Sequence, residues 1–131
     1  MQDLQTQEKN ERQPLILKEK TIDMLLYMKD RLKNFPKEER SGIIPRIKNT
    51  GYEMLELASD IGNGFYTMTT LKAYDRQKNH MESYLYFSLK AKYITPHQHK
   101  TWGEMVVELG RINGGLTKAL EAKQQAQQRR R

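Results

Sequence analysis

Residues 44–65 read IPRIKNTGYEMLELASDIGNGF. Within them Ile44, Ile47, Gly51, Met54, Ala58, Ile61 and Phe65 recur at alternating intervals of three and four. An α-helix turns once in 3.6 residues, so this spacing lines all seven along one stripe, which packs against helices lying nearly parallel to it. Pro45 sets a limit on where the helix begins, because a proline in a helix interior deletes a backbone bond. The start is therefore expected between Lys37 and Ser41.

Three further segments carry the same period. The first holds Leu25, Met28, Leu32 and Phe35, flanked by Ile22 and Leu26. The third runs from Leu71 through Tyr74, Met81, Leu85 and Leu89, and the fourth through Trp102, Met105, Leu109, Ile112, Leu116 and Leu120. No useful length alternates with period two, which argues against strands.

The punctuation between segments agrees. Asn34-Phe35-Pro36 ends the first helix, since the residue before proline avoids the α region. Gly62-Asn63-Gly64 supplies positive-φ positions to end the second. Thr69 or Thr70 is expected to cap the third. Thr95-Pro96-His97-Gln98 has the form of a capping box with proline at the first helical position. Short connections make successive helices antiparallel neighbours. The expectation is an all-α, up-down-up-down antiparallel four-helix bundle over residues 15–121. A polar extension at 1–14 and a basic tail at 122–131 are expected to be frayed or disordered.

The chain has 131 residues, which suggests one domain, and no cysteine, which removes disulfides, thiolate metal sites and cysteine nucleophiles. Its first twelve residues, MQDLQTQEKNER, contain no apolar run of the kind a secretory signal needs. No apolar run is long enough to cross a bilayer. A cytoplasmic protein without a membrane partner is expected. The formal net charge is +7, with the excess in the first and third helical segments and in the tail. Such a chain attracts polyanions through its field, although a lysine-rich solvated surface explains the composition equally well.

No constellation of catalytic or metal-ligating residues is expected. His97 and His99 are two apart and do not share a helix face, and His80 has no histidine partner, so no metal is expected. Glu53 with Glu56, and Glu104 with Glu108, are spaced to share a face, but bundle di-iron sites need Glu-x-x-His, which is missing. Nucleophile-elbow, P-loop and dinucleotide-binding motifs are also missing. No catalytic residue and no cofactor are expected. The candidates that remain are cations for phosphate: Lys29, Arg31 and Lys33 on the first helix; Lys72, Arg76, Lys78, Lys90 and Lys92 on the third; and Arg129, Arg130 and Arg131 in the tail. Tyr84, Tyr86 and Phe87 lie near Lys90 and Lys92, where rings can stack on bases, but core or subunit contacts are the commoner use of such rings.

One stretch breaks the helical economy. Residues 108–120, ELGRINGGLTKAL, put three glycines inside the fourth helix, each costing roughly 0.8–1 kcal/mol against alanine. Gly103, Gly110 and Gly114, spaced seven and four, share one side. A strip without side chains lets another backbone approach closely, either within the subunit or from a second copy. Arg111 points elsewhere and is placed to pair with Glu108 or with a carboxylate of a neighbouring chain.

FPKEERSGIIPRI (35–47) and YITPHQHKTWGEMVVELGRINGG (93–115), at this separation, resemble the Avd-like four-helix bundle family. Its members include the accessory variability determinant of diversity-generating retroelements and proteins encoded in ribosomal RNA intervening sequences. The resemblance covers roughly residues 15–120. It implies a homopentameric barrel with a central channel, association with the retroelement's reverse transcriptase, and binding of RNA or DNA, the template-repeat RNA among them, during mutagenic retrohoming. It implies no active site. The intervening-sequence branch offers the alternative of an oligomeric bundle without a polymerase partner. Of the lysines and arginines above, only Arg111, inside E-L-G-R, falls in a family motif.

Overall fold

The computed structural model describes the backbone of residues 4–130 and the side chains of residues 12–130. Four helices account for most of it: α1 (Leu4–Leu32), α2 (Ile43–Gly62), α3 (Met68–Lys90) and α4 (Pro96–Arg129), with a 3-10 turn at Lys37–Ser41 before α2. No strand occurs among the described residues. Each helix packs on the next and α1 closes the ring against α4, while the diagonal pairs meet only through side chains across the core. Cross-contacts give the directions. The end of α1 meets the start of α4 where Tyr27 lies edge-on to Trp102, and the start of α3 meets the second half of α4 where Asn113 bonds the Leu71 carbonyl. Neighbouring helices therefore run antiparallel, as the short connections require.

The apolar stripes form the core. Met28, Ile47, Met54, Ala58, Ile61, Leu71, Met81, Trp102 and Leu109 are almost wholly shielded from water. Thr21, Thr50, Ser88 and Asn113 are buried with them, and two of these link helices. The Thr21 hydroxyl bonds the Leu17 carbonyl at 2.7 Å and the Tyr74 hydroxyl at 2.8 Å, so a diagonal link between α1 and α3 crosses the core. Asn113 donates from Nδ2 to the Leu71 carbonyl at 2.9 Å, joining α4 to α3. A buried amide with one available partner favours one register of the two helices over its neighbours.

The helix ends refine the expectations from sequence. The Thr95–Gln98 capping box forms in both directions, Gln98 N–H to Thr95 Oγ1 at 3.1 Å and Thr95 N–H to Gln98 Oε1 at 3.0 Å. For α3 the cap is Thr67, not Thr69 or Thr70; Thr70 instead reaches back to accept from the Thr67 N–H at 3.2 Å. A threonine three residues inside the helix is read as a cap by composition, but its hydroxyl serves the true cap's backbone. Between α1 and α2, Lys37–Ser41 folds as a separate 3-10 turn and α2 begins only at Ile43. Pro45 thus falls in the first turn of α2, where its missing N–H would have no intrahelical partner, so it costs no ladder bond.

Helices α2 and α3 end in the same hydrogen-bonded turn. After α2, Phe65 N–H reaches the Asp60 carbonyl at 2.9 Å and Gly64 N–H reaches Ile61 at 3.0 Å. After α3, Tyr93 N–H reaches Ser88 at 2.8 Å and Lys92 N–H reaches Leu89 at 3.0 Å. Both are Schellman motifs, which need a left-handed residue at their centre. Gly64 (φ 83°) supplies it in the first and Lys92 (φ 65°) in the second; Gly62 and Asn63, expected to share positive φ, do not, Gly62 being the last residue of α2. This turn carries Phe65 out of the α2 stripe, leaving it 77% exposed instead of in the core.

The termini also differ from expectation. Helix α1 starts at Leu4 and runs through Pro14, and α4 continues through the expected disordered tail to Arg129. Ala, Gln, Lys, Glu and Arg are strong helix formers, so the tail extends the helix even though residues 121–130 are all exposed. Residues 1–3 and Arg131 lie outside the described residues.

Candidate nucleic-acid interface

The exposed side of α3 carries Lys72, Arg76 and Lys90. Lys72 and Lys90 are eighteen residues apart, five helical turns, and therefore on the same side of the helix roughly 27 Å from each other. Arg76 lies one turn on from Lys72. Among the described residues none of the three has a carboxylate within ion-pair distance; Lys90 lies over the Tyr86 ring at 6.0 Å. Tyr86 and Phe87 are more than half exposed beside it, whereas Tyr84 is partly buried against the core.

Other predicted cations have partners. Lys78 is half-buried, bonded to Glu82 at 2.9 Å and to Asp75 at 3.7 Å. Its stem crosses Gly110 so closely that a methyl group built there would sit 2.9 Å from Lys78 Cδ. Arg31 is also half-buried; its guanidinium lies over the Tyr27 ring at 5.1 Å, extending a stack whose other end is Trp102. Lys33 is exposed and pairs loosely with Asp30 at 3.6 Å, and Lys29 is exposed. Lys92 is exposed at its left-handed position, which a lysine occupies at a cost of roughly 1 kcal/mol against glycine. Arg129 and Arg130 project from the end of α4; Arg131 lies outside the described residues.

The fourth helix presents a different surface. Among the described residues, a methyl group added at Gly103, Gly114 or Gly115 would meet nothing within 4 Å, so no described element uses these glycines for close approach. Val107, which the sequence reading did not single out, falls between Gly103 and Gly110 at helical spacing and is 62% exposed. With Tyr86 and Leu85 of α3, Gly103 and Val107 line a shallow apolar groove. Arg111 takes the expected partner: its Nε donates to Glu108 Oε2 at 2.9 Å and its Nη2 to Oε1 at 2.6 Å, with Lys20 of α1 3.6 Å from the same carboxylate. The Arg111 hydrogen bonds hold the Glu108 carboxyl below its ordinary range.

Sequence reasoning missed three cations that the fold brings together with two it had named. Lys37, Arg40 and Lys48 join Lys29 and Lys33 around one recess at the α1–α2 corner. They stand at separate points of the chain, and only the corner makes them neighbours.

Among the described residues no group of three His, Asp or Glu side chains is arranged to hold a metal, and no helix is long and apolar enough to cross a membrane. The family model described as bAvd-like matches residues 15–120. The chain belongs to the bAvd-like family. It matches no curated protein and no solved structure. The match spans the last part of α1, the 3-10 turn, α2, α3 and most of α4, so the bAvd-like bundle includes the α3 cations, the corner recess and the glycine stripe.

Proposed function

We propose that this bAvd-like protein is a non-catalytic accessory subunit of a diversity-generating retroelement, binding template RNA or its cDNA copy and associating with the reverse transcriptase during mutagenic retrohoming. The observation that carries the reading is the family match over residues 15–120. Two surface features support it. The unpaired Lys72, Arg76 and Lys90 form a cationic line on α3 suited to a phosphate backbone, whose contacts are sequence-independent. The open stripe of Gly103, Val107 and Gly114 on α4 is a surface on which a second copy can pack closely, in keeping with a homo-oligomer, pentameric as in Avd barrels.

The test is light scattering of the purified protein with and without a structured RNA, followed by co-purification with the reverse transcriptase encoded beside its gene. The expected result is a pentamer-sized particle that binds RNA, releases it as salt rises, and retains the polymerase. An RNA-binding oligomer from a locus inside a ribosomal RNA gene, with no polymerase nearby, would place it in the intervening-sequence branch instead. A monomer indifferent to RNA at low salt would overturn the reading.

A further inference from the structure

The recess at the α1–α2 corner has a volume of about 670 Å³, within the range of small-ligand pockets. Three elements build its rim. The last turn of α1 carries Lys29, and Lys33 follows directly after the helix ends at Leu32. The 3-10 turn places Lys37 and Arg40 three apart, the interval at which side chains of a 3-10 helix eclipse. The second turn of α2 adds Lys48, four residues beyond Ile44. Leu32, Phe35 and Ile44 form the apolar floor.

The charge on this rim is of one sign. No carboxylate lines the recess, and among the described residues only Lys33 of the five cations has a carboxylate within 4 Å, the exposed Asp30. The nearby Glu39 is committed elsewhere: its Oε2 accepts from the Tyr93 hydroxyl at 2.7 Å and its Oε1 from the Ile43 N–H at 3.2 Å. Part of this arrangement has a plain structural use, since Lys29 and Arg31 near the C-terminus of α1 complement the helix dipole. That use does not extend to Lys37, Arg40 and Lys48, which lie on the turn before α2 and on α2 itself. Five exposed cations around one concavity repel each other, and a multiply charged anion relieves that repulsion better than a single carboxylate. The apolar floor suits a ligand that carries a sugar or base beside its phosphates.

We propose that the corner recess is a nucleotide site, in which Lys29, Lys33, Lys37, Arg40 and Lys48 hold phosphate oxygens above the floor of Leu32, Phe35 and Ile44. The nucleotide comes either free, as a nucleoside triphosphate, or as a unit of a single strand. Only the strand source rests on the reading of the protein as a nucleic-acid-binding accessory subunit.

The experiment titrates the full chain with ATP and, separately, with an unstructured single-stranded RNA, following backbone amide shifts and affinity at several salt concentrations. Two variants with equal charge loss are compared, Lys37→Gln/Arg40→Gln/Lys48→Gln in the recess and Lys72→Gln/Arg76→Gln/Lys90→Gln on α3. All six side chains are exposed, and unchanged circular dichroism verifies folding. The expected result is amide shifts concentrated in residues 29–48 with at least one ligand. Affinity for that ligand falls tenfold or more in the recess variant and by less than threefold in the α3 variant. If RNA is that ligand, its salt slope falls by about 0.7 per lost phosphate contact. If ATP alone binds, the recess takes a free nucleotide and the accessory-subunit reading fails without it. If RNA binding is lost only in the α3 variant and the recess variant keeps wild-type affinity for ATP, the recess proposal is overturned while the accessory-subunit reading stands. Absence of shifts in 29–48 with either ligand, or wild-type affinity of the recess variant for both, also overturns it.

Discussion

Helices α2 and α4 each carry glycine at helical spacing on a stripe, yet the two stripes meet different fates. At Gly51 a methyl group would sit 2.6 Å from Leu25 Cδ2 and 2.9 Å from Met28 Sδ, so α1 and α2 use its missing side chain to come together. At Gly103 and Gly114 the same methyl group would meet empty space. Lys92 supplies the converse case, a left-handed turn of the kind Gly64 fills, occupied by a residue with a side chain. Spacing identifies a stripe, but it does not say what covers the stripe; glycine is not sufficient evidence for a close approach, nor is it necessary for a left-handed turn.

That contrast can be broken experimentally. The largest effect is expected at the covered stripe. Gly51→Val inserts three carbons against Leu25 and Met28 and should destabilise the fold by about 3 kcal/mol, read as a lower midpoint in urea with unchanged slope. An unchanged midpoint would mean that α1 gives way freely and that the two stripes are alike.

The covered side also holds Tyr74, whose hydroxyl burial pushes well above the ordinary tyrosine value, against a smaller opposing effect of its bond to Thr21. A raised pKa in the folded state means that the folded protein keeps the proton longer. The stability this represents is complete below the unfolded tyrosine value near 10 and is lost as pH rises above it. Relative to Tyr74→Phe, the wild type should lose about 1.4 kcal/mol per pH unit above 10, measured by urea unfolding between pH 9 and 11. Parallel curves for the two proteins would place Tyr74 in contact with water.

At the turn where glycine is missing, Lys92→Gly should stabilise by about 1 kcal/mol in thermal unfolding, since glycine adopts positive φ without strain. The same variant should weaken RNA binding slightly if the lysine is retained for its charge. The smallest effect belongs to the open stripe. Gly114→Ala should raise stability by about 0.8–1 kcal/mol in a dissociated chain, the ordinary helix-propensity gain. A loss of stability accompanied by smaller particles in sedimentation would show instead that a second copy covers the stripe.

Much of the fold was legible in the sequence. The 3.6-residue period, the Thr95–Gln98 capping box and the glycine that ends α2 all act between residues a few positions apart, and each was found where the pattern placed it. The Arg111–Glu108 pair was legible for the same reason, being one helical turn. Local readings went astray where two local signals compete. Thr70 resembled a cap because it serves one, and Phe65 continued a stripe that the Gly64 turn had already ended. The tail looked disordered for its polarity, although its residues are also good helix formers.

Hydrophobic period and connection length suffice for four amphipathic helices, their order and their antiparallel packing, and these were legible without coordinates. Which glycine is covered, that Lys78 lies across Gly110, and that Lys37, Arg40 and Lys48 share a recess with Lys29 and Lys33 were settled by the packing of the helices. Those facts depend on contacts between residues far apart in the chain. Such contacts follow from how the helices are placed against each other, which no short window of sequence contains.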